Sequence, residues 1–146
     1  MRVGPFDVIG DIHGALEALR ALGRALGYAV EDDWTHAQGR RLVFIGDLVD
    51  RGPHSLEVAE LVHDLCRRGR ALCLMGNHEY NLVEWRRRGR KREDVKRSNA
   101  PTVADIDARP ARWEPMLDFF ESLPLALELD DLRVTHAAWH RDCVEA

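Results

Sequence analysis

The stretch RLVFIGDLVDRGP, residues 41–53, decides the fold that the sequence predicts. Residues 41–45 are rich in β-forming side chains and predict a buried strand. A turn follows that begins with Gly46 and Asp47, and Ser55 shortly after it is a good N-cap for a helix. The predicted order is therefore a strand, a glycine turn with polar side chains, and a helix.

The same order of strand, glycine turn and helix is also predicted for the part of the chain before this stretch. A strand is predicted over residues 6–9, and the turn GDIHG follows at residues 10–14. Residues 15–26 carry leucines at helical spacing, and Gly27 is a suitable residue to end that helix. The first part of the chain thus predicts a second copy of the strand, turn and helix unit.

A third copy follows the central stretch. Residues 71–75 predict a strand, the turn GNHE occupies residues 76–79, and a helix is predicted from there to about Arg88. This alternation favours an α/β sheet, in which the polar turns gather at the carboxyl ends of the strands. Because open α/β sheets bind ligands at that edge, the turns mark the candidate site.

The second half of the chain carries weaker signals. We predict a loop with short helical pieces over residues 101–110 and a helix over residues 113–122. Residues 125–129 and 132–136 flank two aspartates and predict a β-hairpin. The hairpin places His136 at a strand end.

Composition limits the class of protein. The chain has 146 residues, of which 45% are hydrophobic and 32% charged, which is typical of one globular domain. No apolar run approaches the length of a membrane span, and the net charge of −4 does not suggest nucleic-acid binding. Three cysteines at unrelated spacings, and no apolar leader, favour a reduced cytoplasmic chain.

The predicted strand ends bring metal-ligating side chains to one edge. They are, in chain order, Asp11, His13, Asp47, Asn77 and His136. Asp11 and His13 are two residues apart and, on an extended backbone, would point to the same side. Oxygen and nitrogen ligands without thiolate favour Mn²⁺, Fe or Zn²⁺ over Ca²⁺ or a structural zinc. Asp47 lies between the other ligands and is the natural bridge of two ions roughly 3.5–4 Å apart.

The three turns resemble the signature blocks of the calcineurin-like metallophosphoesterases. The blocks are GDIHG at 10–14, GDLVDRG at 46–52 and GNHE at 76–79. Taken singly, each motif is more often a turn or a helix cap, but three in one order after strands are poorly explained that way. The Asp-Arg-Gly form indicates the branch that contains Ser/Thr protein phosphatases and symmetrical diadenosine tetraphosphatases. Among members of this branch, the sequence most resembles the bacterial ones. Residues 133–138 resemble the family's next block, although Ala138 stands where glycine is common.

The resemblance implies a fold and a metal centre. The expected fold is an α/β protein with a β-sandwich flanked by helices, in the layer order α/β/β/α, over residues 1–146. Two divalent ions are implied, most readily Mn²⁺, with Fe or Zn²⁺ as alternatives. The first ion would be held by Asp11, His13 and Asp47, and the second by Asp47, Asn77 and His136.

The resemblance also implies how the reaction proceeds. A hydroxide between the two ions would attack phosphorus in line. His78 would donate a proton to the leaving oxygen, and Asp50 would pair with His78 and fix its orientation. Arg51, Asn77 and His78 would bind the substrate phosphate.

Several alternatives stay open. The leading expectation is a Ser/Thr protein phosphatase-like hydrolase of phosphoesters. A hydrolase of dinucleoside polyphosphates is the alternative, and a non-catalytic protein that binds metal and phosphate is the rival class. The family supplies another metal-binding histidine and another phosphate-binding arginine from a later strand, and only ten residues follow His136. We therefore expect the domain to lack its C-terminal part.

The basic segment and His140 have two interpretations each, and Glu79 has one. The basic segment 86–97 is either a solvated helix and loop or a surface that attracts anionic substrates over the cleft. The presence of an acidic residue at position 79 is sufficiently explained by the favourable interaction of its charge with the dipole of the helix that starts there. His140 is either an exposed residue or a neighbour of the metal centre. The oligomeric state is left open.

Overall fold

Three of the predicted strands form one parallel sheet in the computed structural model, which describes residues 5–89, 91, 99–129 and 132–138. The strands are β1 (Phe6–Ile9), β2 (Arg41–Phe44) and β3 (Ala71–Cys73), in the order β1-β2-β3. Ile9 pairs with Phe44, and Phe44 pairs with Cys73, so the carboxyl ends of the strands lie level. The polar turns that follow the strands therefore meet at one edge.

Five helices and a hairpin complete the described part of the chain. The helices are α1 (Leu16–Leu26), α2 (Ser55–Arg67), α3 (Asn77–Arg88), α4 (Ala100–Ala108) and α5 (Pro110–Glu121). The hairpin consists of the antiparallel strands β4 (Ala126–Leu129) and β5 (Leu132–Thr135). The two aspartates between them, residues 130 and 131, lie outside the described residues. The predicted alternation of strands and helices and the predicted hairpin are both confirmed.

The two faces of the parallel sheet bury different partners. Successive side chains of a strand point to opposite faces, so Leu42 and Phe44 share one face and Val43 takes the other. Leu42 and Phe44 belong to the main core, which also contains buried side chains of all five helices. Val43 packs with Leu74 and with Val134 of the hairpin. The hairpin thus lies on the face of the sheet opposite the main core.

Two local expectations are wrong. Residues 101–110 were expected to form a loop with short helical pieces, but one continuous helix, α4, occupies most of them. Pro101 is compatible with this helix because it lies in the first turn, where its missing N–H costs nothing. Thr102, Val103 and Ile106 lie on the buried side of this helix. Ser55 is the first residue of α2 rather than its N-cap, and its hydroxyl oxygen instead accepts the N–H of Asp50 at 2.9 Å. In the described part of the chain, no helix is long and apolar enough to cross a membrane.

Candidate metal centre

Asp47 occupies the middle of the candidate site. Its carboxylate is buried, and its two oxygens face different histidines. Asp47 Oδ2 lies 3.7 Å from His13 Nε2 and 3.8 Å from His78 Nε2. Asp47 Oδ1 lies 3.5 Å from His136 Nε2. One carboxylate therefore has one oxygen in each of two groups of ligand atoms, as a bridging ligand requires.

The first group contains Asp11 and His13. Asp11 Oδ2 lies 3.7 Å from His13 Nε2, and the two residues approach through a turn in which His13 has a φ of 49°. The expected proximity is thus present, but the expected extended backbone is not. His13 Nδ1 lies 2.8 Å from the carbonyl oxygen of Val49. A carbonyl can only accept, so Nδ1 carries a hydrogen, and Nε2 of the neutral ring keeps its lone pair.

The Nε2 atom of His13 tests whether a metal ion fits. This atom is buried and has no hydrogen-bond partner among the residues that the structure describes. A buried acceptor without a partner is costly, and its nearest polar neighbours, Asp11 and Asp47, are acceptors too. A divalent cation between the three would satisfy all of them. The donor set, one imidazole and two carboxylates, suits Mn²⁺, Fe or Zn²⁺.

The second group contains Asn77 and His136. His136 Nδ1 lies 2.8 Å from the carbonyl oxygen of Ile45, so the same argument leaves the lone pair on Nε2. That nitrogen lies 3.2 Å from Asn77 Oδ1 and 3.5 Å from Asp47 Oδ1, and both oxygens are acceptors. Lone pairs that face one another at these distances repel unless a cation lies between them. The ligand atoms of Asp11, Asp47 and His136 also lie within 4.8 Å of one another.

His78 and Asp50 form a buried pair beside the two groups. His78 Nδ1 lies 2.6 Å from Asp50 Oδ2, and Nε2 points toward Asp47. The rings of His13 and His78 meet edge to face, with centroids 4.7 Å apart. Asp50 thus orients the ring of His78 with one nitrogen directed at the candidate metal site. Arg51 is exposed, and the structure does not bring it into contact with this pair.

Two residues that the sequence analysis missed also bind Asp50. The side-chain nitrogen of Asn99 donates to Asp50 Oδ2, and the hydroxyl of Thr102 donates to Asp50 Oδ1. Asn99 is the N-cap residue of α4, and Thr102 lies in the first turn of this helix. Both lie after the three turns in the chain, and no sequence motif marks them.

Glu79 has a larger role than the helix dipole. It is fully buried, and its carboxylate accepts backbone N–H groups from two different turns. The donors are Asp47 at 2.8 Å, Leu48 at 2.8 Å, Gly76 at 3.0 Å and Val49 at 3.3 Å. Burial, and then the charge of Asp47, raise the pKa of Glu79, while the N–H donors oppose this shift. The carboxylate therefore ties the turn that carries Asp47 to the start of α3.

Glycine permits this close approach of the two turns. A Cβ atom on Gly76 would lie 2.2 Å from the backbone nitrogen of Asp47 and 2.3 Å from its Oδ1. A Cβ atom on Gly46 would lie 2.3 Å from the nitrogen of Gly76, and Gly46 also has a φ of 98°. Both glycines of the Gly-Asp and Gly-Asn motifs thus serve the contact between turns.

The turns also hold non-glycine residues in the left-handed region. The φ angles are 49° for His13, 53° for Asp47, 70° for Asp50 and 66° for Arg51. Such conformations cost energy and persist where surrounding contacts determine them, most often at functional sites. Here the residues affected are among those predicted to bind metal, to bind substrate or to orient His78.

The basic segment is described only in part. Arg86 and Arg87 form ion pairs with Glu114 of α5, and Arg87 also pairs with Asp118. Arg88 pairs with Glu84 one turn earlier. These three arginines are therefore engaged by acidic side chains. Residues 90 and 92–97, with His140, lie outside the described residues, so neither reading of those parts is tested.

A parallel sheet whose carboxyl edge gathers histidines and carboxylates around one shared aspartate is typical of metal-dependent hydrolases. The model of the calcineurin-like phosphoesterase family matches residues 4–141. The chain belongs to this family, as the three signature blocks predicted.

Among named proteins of this family, the chain is similar in sequence to bis(5'-nucleosyl)-tetraphosphatases. The chain is 39% identical over 145 residues to the asymmetrical bis(5'-nucleosyl)-tetraphosphatase PrpE of Halalkalibacterium halodurans, with 94% of this chain and 58% of the relative covered. It is 34% identical over 154 residues to the PrpE protein of Anoxybacillus flavithermus, with 95% of this chain and 59% of the relative covered. The chain thus spans less than two thirds of the length of these relatives.

Solved structures show the same relationship. A putative diadenosine tetraphosphatase superimposes with a TM-score of 0.62 at 26% identity, over 95% of this chain and 52% of the other. A serine/threonine phosphatase of Saccharomyces cerevisiae superimposes with a TM-score of 0.55 at 27% identity, over 86% of this chain and 35% of the other. Both halves of the predicted branch, nucleotide hydrolases and protein phosphatases, are therefore represented among the similar structures.

Proposed function

We propose that this chain carries the catalytic centre of a two-metal hydrolase that cleaves dinucleoside polyphosphates of the bis(5'-nucleosyl) tetraphosphate type. The observation that carries the chemistry is Asp47, whose two oxygens face separate groups of ligand atoms. The names of the relatives support the substrate class, since those at 39% and 34% identity are tetraphosphatases. The relatives are called asymmetrical, whereas the sequence motifs alone suggested the symmetrical kind.

The residues of the site would divide the work. Asp11, His13 and Asp47 would hold one divalent ion, and Asp47, Asn77 and His136 the other. Bound ions lower the pKa of water toward neutrality and neutralise charge on phosphate, which is the chemistry that the metal centre supplies. Mn²⁺ remains the proposed metal, with Fe or Zn²⁺ as alternatives. We also infer that the two sheets belong to the sandwich flanked by helices that was predicted over residues 1–146.

The proton and phosphate roles fall to other side chains. His78 would give the proton at Nε2 to the leaving phosphate oxygen as the P–O bond breaks and its electron pair leaves with that oxygen. Asp50 would hold the His78 ring in place through Nδ1. Arg51, which is exposed, would bind the phosphate with its planar guanidinium, assisted by Asn77 and His78.

A first experiment tests the chemistry and the substrate together. The purified chain, loaded with Mn²⁺, is incubated with diadenosine tetraphosphate, and the nucleotide products are separated by chromatography. We expect metal-dependent release of ATP and AMP. Asp47→Asn should remove this activity, and the matched control Asp32→Asn, at an exposed position, should retain it. Absence of hydrolysis by a folded chain with bound metal would contradict the proposal.

A second candidate function is hydrolysis of phosphoserine or phosphothreonine in proteins. The similarity to the yeast serine/threonine phosphatase structure, at 27% identity, favours it specifically. A phosphopeptide offered to the same Mn²⁺-loaded chain separates the candidates. Faster hydrolysis of the phosphopeptide than of diadenosine tetraphosphate would support the protein phosphatase and overturn the nucleotide assignment.

A further inference from the structure

Asp50 is held by more donors than its pairing with His78 requires. The residue is 1% exposed, and no arginine, lysine or further histidine binds its carboxylate among the described residues. Asp50 Oδ2 accepts from His78 and from Asn99, and Oδ1 accepts from Thr102. The backbone N–H of Asp50 donates to Ser55 at 2.9 Å. Both oxygens of this carboxyl group are therefore fixed by neutral donors or by His78 itself, and the backbone beside it is held by Ser55.

Both additional donors come from one turn of one helix. Asn99 and Thr102 are three residues apart and therefore lie on the same face of the start of α4. They are 0% and 2% exposed. Val103 and Ile106 anchor the helix in the main core, so the two donors are carried by a packed element.

The start of α4 also contacts His78 directly. The side-chain nitrogen of Asn99 donates to Asp50 Oδ2 and also lies 3.4 Å from the backbone carbonyl oxygen of His78. One amide group therefore bridges both members of the pair. A side chain that only filled space in the core would have no reason to place its single NH₂ between these two acceptors.

We propose that Asn99 and Thr102 are positioning residues for proton transfer by His78, acting through the carboxylate of Asp50. Fixing both oxygens of Asp50 sets the plane of the carboxylate. That plane in turn sets the direction of the His78 ring and keeps Nε2 aimed at Asp47, 3.8 Å away. The inference rests on the proposed function, because proton donation by His78 is part of it.

The test replaces one donor and then restores it. Thr102→Val keeps the shape of the side chain and removes the hydroxyl, whereas Thr102→Ser keeps the hydroxyl. A series of aryl phosphates with increasingly basic leaving groups is hydrolysed by each Mn²⁺-loaded variant. Proton donation matters most for the basic leaving groups. Thr102→Val should therefore lose roughly tenfold activity or more on the most basic one, a part of the 10²–10⁴-fold that positioned proton transfer contributes, and little on p-nitrophenyl phosphate.

The controls separate positioning from folding. Thr102→Ser should restore the dependence on the leaving group. Val103→Ala, which removes two buried methyl groups and keeps Asn99, Thr102 and Asp50, should lower stability and leave that dependence unchanged. Asn99→Ala should behave like Thr102→Val. Equal losses by Thr102→Val on all leaving groups, with no recovery in Thr102→Ser, would overturn the inference.

A spectroscopic arm does not depend on activity. The Nδ1–H proton of His78, hydrogen bonded to Asp50, should give a low-field NMR resonance that is absent from His78→Gln. We expect Thr102→Val to shift or broaden this resonance and Thr102→Ser to restore it. An unchanged resonance in Thr102→Val and Asn99→Ala would overturn the inference even in an active chain. If the unaltered chain hydrolyses no phosphate, the proposed function fails, and the resonance still decides whether Asn99 and Thr102 orient His78.

Discussion

Two buried carboxylates lie near Asp47, and they accept hydrogen bonds from different kinds of donors: Glu79 from the backbone and Asp50 from side chains. Glu79 accepts four backbone N–H groups, from residues 47, 48, 49 and 76. Asp50 accepts three side-chain donors, from His78, Asn99 and Thr102. Neither is paired with an arginine or a lysine in the described part of the chain.

This difference in hydrogen-bond donors indicates a structural role for Glu79 and a role in the reaction for Asp50. A carboxylate that binds backbone N–H groups determines the path of the chain, so Glu79 shapes the turn that presents Asp47. A carboxylate that binds side chains determines where those side chains point, so Asp50 determines the orientation of the His78 ring. Loss of Glu79 should therefore affect the fold and metal binding, and loss of Asp50 should affect the reaction.

The largest effect is expected from Glu79→Ala. This change leaves four buried N–H groups without their acceptor, at about 1–3 kcal/mol for each group that water cannot reach. We expect a loss of several kcal/mol in the free energy of unfolding, measured by urea denaturation, and weaker Mn²⁺ binding, measured by calorimetry. Glu84→Ala on the same helix removes only an ion pair with Arg88 and serves as the control. A stable, metal-binding Glu79→Ala protein would break the comparison.

Asp50→Asn should have a smaller effect on stability and a large one on activity. An amide in place of the carboxylate loses one acceptor. With its nitrogen at the Oδ1 position the hydroxyl of Thr102 loses its acceptor, and with its nitrogen at the Oδ2 position His78 and Asn99 both lose theirs, at a cost of about 1–3 kcal/mol for each buried group left unpaired. Mn²⁺ affinity should stay close to that of the unaltered chain, and hydrolysis of diadenosine tetraphosphate should fall roughly 10²-fold or more. Loss of metal binding in this variant would show that the two carboxylates share one role.

The smallest effect is expected from a third carboxylate that does have a cationic partner. Asp7 pairs with Arg40 and accepts the hydroxyl of Tyr28 at 2.8 Å. The hydrogen bond from Arg40 is the main reason that the pKa of Asp7 lies below its ordinary value. Because this pair is partly exposed, Asp7→Asn should cost at most about 1 kcal/mol at neutral pH.

The pH dependence of that difference follows from the sign of the shift. A lowered pKa in the folded state means that the contribution of Asp7 is complete above its unfolded value, about 3.9, and is lost as the pH falls through the lower folded value. Urea denaturation of the unaltered chain and Asp7→Asn between pH 7 and pH 3 should show curves that converge on the acid side. A difference that grows as the pH falls would contradict this sign.

The sequence by itself determined the parallel sheet and most of the candidate metal centre. Asp11, His13, Asp47 and Asn77 follow predicted strands directly, and parallel strands that pair in register bring their carboxyl ends to one edge. Local spacing along the chain is sufficient for such an inference. His136 was placed in the same way, from the hairpin that ends in it.

The tertiary structure alone decided which hydrogen bonds support these ligands. Thr102 lies 52 residues from Asp50, in a segment for which the sequence predicted only a loop with short helical pieces. Val49 and Ile45 set the ring nitrogens of His13 and His136 through their backbone carbonyls. Glu79 was assigned to a helix dipole because its partners are backbone groups, which carry no residue signature. Hydrogen bonds between distant elements depend on how those elements pack, and the residues nearest in sequence do not record that packing.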